Sequence, residues 1–138
     1  PRGKTNRSDG GAMNMILAIA AGGAVGAVAR HFAAAQIGHW LGHGFPWGIM
    51  IVNIVGSLFM GALVETLALT WSPPPEMRAF LVVGVLGAFT TFSTFSLDVA
   101  LLYERGQIMA AALYVAGSVT LSVLALFAGL AVMRSLLT

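Results

Sequence analysis

Four long apolar runs leave this chain few folds to choose from, because each meets the roughly 20 residues that a helix needs to cross a bilayer core. They extend from about Met13 to Phe32, Trp47 to Thr70, Met77 to Tyr103 and Ile108 to Leu136. The punctuation between them is short: GHWLGHGFP, WSPPPE and ERGQ. Glycine and proline there end helices, and loops this short make neighbouring helices run antiparallel. Of the 138 residues 58% are hydrophobic and 9% charged, and the mean hydropathy of +0.89 lies outside the range of soluble domains. The expected fold is an all-α membrane protein, with residues 13–138 forming one four-helix transmembrane domain in the lipid bilayer. Trp40, Trp47, Trp71 and Tyr103 fall near run ends, where amphipathic rings favour the headgroup region.

Residues 1–12 read as a polar N-terminal tail and a candidate processing remnant, with Met13 or Met15 as candidate starts. Arg2, Lys4 and Arg7 cluster there, but the cluster is too short and too free of aromatics to indicate nucleic acid. Cysteine is absent, which excludes disulfides and thiolate chemistry. With the N-terminus cytoplasmic, Arg78 and Arg134 lie on that side and Arg30 and Arg105 on the other. Leaving the tail aside, the count is two against two, which gives the positive-inside rule no purchase. Either the tail sets the orientation, or both orientations insert and an antiparallel homodimer becomes possible. Small-residue pairs at helical spacing, Gly22-Gly26, Gly23-Ala27 and Ser57-Gly61, permit close helix approach within or between chains. A bundle of four helices is small for an aqueous pathway, so an oligomer is expected.

Polar residues at membrane depth are costly and are candidates for function. Arg30, Glu65, Asp98, Glu104, Arg105 and Arg134 all sit toward run ends, which argues against a buried-carboxylate antiporter and a fixed-charge ring. The interior groups are neutral. Tyr114, Ser118 and Ser122 are spaced i, i+4, i+8 and form a hydroxyl track on one face, unless each serine bonds back to its own helix. Asn53 and Ser57 are also i, i+4, and the Asn53 amide needs another helix, water or a solute. In LGAFTTFSTFSLD, residues 86–98, hydroxyls and phenylalanines alternate after Gly84 and Gly87. Glycine weakens a helix and hydroxyls can take over its backbone partners, so the third helix is a candidate for interruption here, with an unbroken helix as the alternative. Such a break is tolerated only inside protein or beside a water-filled cavity, and freed carbonyls near Gly87 and Thr90 would suit a hard cation such as Na⁺. Phe89, Phe92 and Phe95 recur every third residue; their ring edges carry positive potential, so with hydroxyl and amide donors they suit a small anion. Core packing is the alternative for these rings.

GAFTTFSTFSLD resembles the third-helix signature of the Fluc/CrcB fluoride channels. VNIVGSLFMG, residues 52–61, is similar to the family's second-helix motif, and GGAVGAVARHF, residues 22–32, to the end of its first helix. The resemblance covers the chain from Met15 to the C-terminus. It implies a fluoride-selective channel in the inner (plasma) membrane that exports fluoride passively and confers fluoride resistance. It further implies a dual-topology antiparallel homodimer with two pores at its interface and a broken third helix. A structural Na⁺ would be held by the Gly87 and Thr90 carbonyls. The fluoride path would map to Asn53, Phe92, Phe95, Tyr114, Ser118 and Ser122, with Ser93 and Thr94 as further candidates and Arg30 in the vestibule. Ala88, Asp98 and Ile49 depart from the family pattern, which often has Gly, Glu and Thr there.

Two other classes have the right size. A small multidrug-type exporter would need a carboxylate in the first helix, and none lies between Met15 and Ala29. A non-conducting structural subunit would explain the small-residue pairs but not the third-run hydroxyls. No nucleophile–base pair or metal-ligand cluster occurs at membrane depth, so no enzyme is expected; His31, His39 and His43 read as interfacial.

Overall fold

The computed structural model of the chain describes residues 7–138, with side chains from Gly10 onward. The first two spans are α1 (Arg7–Leu41) and α2 (Trp47–Leu69). The third span, Pro75–Glu104, is in two pieces: α3, residues 75–89, and α4 (Ser93–Glu104). The last is α5 (Ile108–Leu137). All four spans are long and apolar enough to cross a membrane, and the chain is an all-helical, multi-pass membrane protein.

Helix ends follow local chemistry. α1 runs on from Phe32 through AAAQIGHWL, because its alanines favour helix and Gly38 alone does not stop it. It ends where Gly42 takes φ +90° and donates its N–H to the Gly38 carbonyl at 2.8 Å. At its other end it takes in Arg7 to Ala12 of the expected tail; the first six residues of that tail lie outside the described residues. Gly106, at φ +76°, ends α4 in the same way. Pro75 opens α3 at a first-turn position, where its missing N–H costs nothing.

Backbone-to-backbone contacts join the helices. Residues Phe80–Leu86 of α3 form a π-helical stretch, whose wider turn displaces carbonyls sideways. Gly22 of α1 lies against the Phe80 carbonyl and Gly84, and Gly26 against the Val85 carbonyl, so any side chain there would meet main chain. Gly61 of α2 and Gly129 of α5 form a reciprocal pair, the first against the Leu126 carbonyl and the second against that of Leu58. Gly22, Gly26 and Gly61 thus serve packing within the chain, whereas a β-carbon on Gly23 would meet nothing within 4 Å. The same α2–α5 seam carries a buried charge: Arg134 Nε donates to Glu65 Oε1 at 2.7 Å.

A buried cluster of Phe95, Leu102, Ala111 and Tyr114 ties α4 to α5, packed by Phe45 from the α1–α2 loop and by Ile49 and Met50 from the start of α2. Most other large apolar side chains face outward, as lipid-facing helices require.

Candidate functional site

The interruption in the third span is held open by two other helices. Thr90 leaves the helix with φ −83° and ψ 156°. In a continuous helix the Thr91 N–H would close onto the Gly87 carbonyl. It donates instead to Asn53 Oδ1 at 2.8 Å, while Asn53 Nδ2 donates to the Thr91 carbonyl at 3.0 Å. One amide on α2 thereby takes both backbone groups of one residue. From α1, Arg30 donates to the Ala88 carbonyl at 2.9 Å and, more weakly, to the Thr90 carbonyl at 3.4 Å. The helix restarts because Thr91 Oγ1 accepts the Thr94 N–H at 3.2 Å, an N-terminal cap.

Beside the break lies an open cavity of about 440 Å³ between α2, α5 and the third span. Asn53 and Ser57 line one wall, Ser118 and Ser122 another, and Gly87, Thr90, Thr91, Phe92 and Phe95 the third. The two serines do not bond back to their own helix: among the described residues neither buried Oγ atom has a hydrogen-bond partner. A buried hydroxyl without a partner is costly, so each would gain from a partner that reaches it from the cavity. Phe92 is 76% exposed, and its ring lies 5.4 Å from that of Phe95. Phe89 turns away, its ring against Gly56 of α2.

Three expected path residues lie elsewhere. Tyr114 does not line this cavity; it is fully buried behind Phe95, with ring centroids 5.2 Å apart, and donates its hydroxyl to Asp98 Oδ2 at 3.0 Å. Ser93 and Thr94 are also off the wall, where their hydroxyls meet the Thr91 hydroxyl at 3.4 and 3.2 Å. Arg30 is directed at the carbonyls of the break.

Beyond Tyr114 a second cavity of about 250 Å³ opens between the α1–α2 loop and the end of α4, lined by His43, Phe45, Ile49, Asp98 and Arg105 among others. Phe95 faces the first cavity, Phe45 and Asp98 face the second, and Tyr114 touches all three. The Phe95–Tyr114 stack is therefore the partition between them. Asp98→Ala should leave the Tyr114 hydroxyl buried and unpaired, at a cost of about 1–3 kcal/mol in thermal unfolding. Adding Tyr114→Phe should recover most of that loss, since the stranded group is then gone.

Sequence reasoning singled out neither Thr91 nor Asp98 as site residues. Thr91 is a residue type favoured at helix N-caps, which is the one local signal for its role. The Asp98–Tyr114 pair joins two helices across a turn, and nothing in either segment reports it.

The carbonyls expected to hold a cation have suitable chemistry. The Gly87 carbonyl loses its α-helical donor to Asn53, and the Thr90 carbonyl, whose helical donor Thr94 N–H goes to Thr91, has only the long Arg30 contact. Neutral oxygens of this kind suit a hard cation. Among the described residues no cluster of His, Asp and Glu is placed to hold a metal.

The model of the family described as CrcB-like protein, Camphor Resistance (CrcB), matches residues 17–130. The chain belongs to the CrcB family. The CrcB match takes in the break, both cavities and the glycine contacts, and stops short of Arg134. A protein named Fluoride-specific ion channel FluC from Rhodospirillum centenum is 63% identical over 123 residues, 89% of this chain and 98% of that protein. One of the same name from Nitrobacter winogradskyi is 53% identical over 119 residues, covering 86% and 94%. Another from Rhizobium meliloti is 48% identical over 124 residues, covering 90% and 99%.

Proposed function

We propose that this CrcB-family chain is a fluoride-selective channel, not an enzyme, that carries fluoride out of the cell passively across the inner (plasma) membrane. The observation that carries the reading is the pair of buried, unpartnered hydroxyls of Ser118 and Ser122 facing Phe92, Phe95 and Asn53 across one cavity. The named function of relatives up to 63% identical supports it.

The chemistry follows from that wall. Fluoride is small and strongly hydrated, so entry requires donors that replace its water at close range. Ser118 and Ser122 each offer an O–H, Asn53 has a second amide hydrogen beyond the one given to Thr91, and the phenylalanine edges add positive potential without fixed charge. Neutral donors bind weakly enough to let the ion leave. Tyr114, with its proton given to Asp98, offers ring and oxygen at the partition rather than a free donor. HF crosses membranes uncharged and dissociates in a near-neutral cytoplasm; a potential negative inside then drives the anion outward by about 2.3 kcal/mol per 100 mV.

A single chain leaves the cavity open on one side with Phe92 exposed. We therefore place a second copy there, in an antiparallel, dual-topology homodimer with two pores. Outside the N-terminal tail the arginines divide two against two, which supports this. Gly87 and Thr90 carbonyls of both copies would hold a structural Na⁺, which would contribute positive charge beside the path when bound.

The test is fluoride efflux from liposomes holding purified protein, with valinomycin carrying the compensating charge, beside the same assay for chloride. Fluoride loss without chloride loss, dependent on valinomycin, is the expected result. Phe92→Ile and Phe95→Ile should each lower it by about tenfold or more, equivalent to about 1.4 kcal/mol, in protein that still purifies as one species. Equal flux in both variants would remove the rings from the mechanism, and no flux from folded wild-type protein would end the channel reading.

A further inference from the structure

At the end of the bundle where α1 begins, α2 ends and α3 begins, a crevice of about 380 Å³ enters between the three helices. Met15, Val64, Leu67, Ala79 and Val82 make its apolar wall, and among the described residues Arg78 is the one polar side chain on it. Water fills such a space poorly. About a dozen molecules at roughly 30 Å³ each would fit, each needing two to four polar partners, and the wall offers one guanidinium. A second protein surface also fits poorly, because the floor is recessed: Leu67 is 6% exposed and Ala79 8%. The occupant must be thin and apolar, and in a bilayer the solvent at this depth is acyl chain.

Arg78 specifies the other half of the ligand. It lies in the first turns of α3, after a loop that begins with the exposed Trp71, which sets it near headgroup level. Among the described residues it has no ion pair or side-chain hydrogen bond. Arg134, also near this end, is committed to Glu65. Glu76 lies two residues from Arg78 on the same helix, a spacing that turns the two side chains apart. A planar fork of donors at the mouth of an apolar slot matches a phosphate whose attached chain fills the slot. Basic pockets between membrane helices recognise anionic headgroups in this way.

We propose that this crevice binds one anionic phospholipid, with an acyl chain between α1, α2 and α3 and its phosphate on Arg78. The site lies away from both cavities of the candidate ion path and does not depend on what that path conducts. The full chain would be purified, equilibrated separately with phosphatidylglycerol and with phosphatidylcholine, and examined by native mass spectrometry for retained lipid. Wild-type protein should retain one phosphatidylglycerol per chain in preference to phosphatidylcholine. Arg78→Gln should lower that occupancy about fivefold, and Val64→Phe, which fills the slot from its rim, should lower retention of both lipids. Helix content by circular dichroism should stay unchanged in each variant. Retention unaffected by either variant, equal retention of the two lipids by the wild type, or no retained lipid would each overturn the proposal.

Discussion

Replacing Asn53 with leucine should reduce fluoride flux from reconstituted liposomes by at least about tenfold while the four spans still form. The side chain takes both backbone groups of Thr91, at 2.8 and 3.0 Å, and leucine takes neither. Each stranded group costs about 1–3 kcal/mol, so roughly 2–6 kcal/mol would act against the open geometry of the break. At about 1.4 kcal/mol per factor of ten, even the lower figure depopulates that geometry more than tenfold. The Thr91 N–H has an alternative partner close by, the Gly87 carbonyl, so the expected response is local rewinding of the third span. Asn53→Asp separates the two roles of the amide. It keeps an acceptor for the Thr91 N–H, loses the donor and adds a charge that repels an anion; its flux should fall with a smaller loss of thermal stability than leucine causes. Wild-type flux in Asn53→Leu would mean that Arg30 and the Thr91 cap hold the break without help from α2.

A large loss of stability should also come from Gly61→Ala on α2. A β-carbon there meets the Leu126 carbonyl on α5, and main chain cannot turn aside as a flexible side chain can. The reciprocal contact of Gly129 with the Leu58 carbonyl fixes the two helices at the same level, so they must separate along the seam. Overpacking of this kind costs about 1–3 kcal/mol or more. Separation would also pull Glu65 from Arg134, leaving a buried carboxylate without its partner. Gly23→Ala is the matched comparison: with nothing within 4 Å, it should be neutral or gain the roughly 0.5–1 kcal/mol by which alanine exceeds glycine in a helix. Thermal unfolding of the two purified variants reads the difference, and equal midpoints would refute the backbone-contact account of α2–α5 packing.

Much of this protein is written in local sequence. Run length and hydropathy set four spans, because a bilayer accepts only helices long enough to cross it with their own backbone bonds satisfied. The glycines before TTFSTFS and the hydroxyls within it carry the interruption of the third span, since both weaken helix at short range. The spacing of Ser118 and Ser122 gives one face, and both do line one cavity. Tyr114 shares their period yet lies behind Phe95, because its position is decided by the cluster it joins and by Asp98. Likewise, the glycine pairs all look alike in sequence, and only the neighbouring helix decides that Gly22, Gly26 and Gly61 meet main chain while Gly23 meets nothing. Arg30 reads as an end-of-helix charge, but the fold turns it onto the Ala88 and Thr90 carbonyls. The sequence by itself determined the number of helices, the place of the break and the neutral chemistry of its surroundings, all of them short-range consequences of hydropathy and backbone preference. Which groups face one another across the cavity, the partition and the crevice was decided by tertiary structure alone, because those pairings join residues tens of positions apart, and no segment carries the identity of its neighbour.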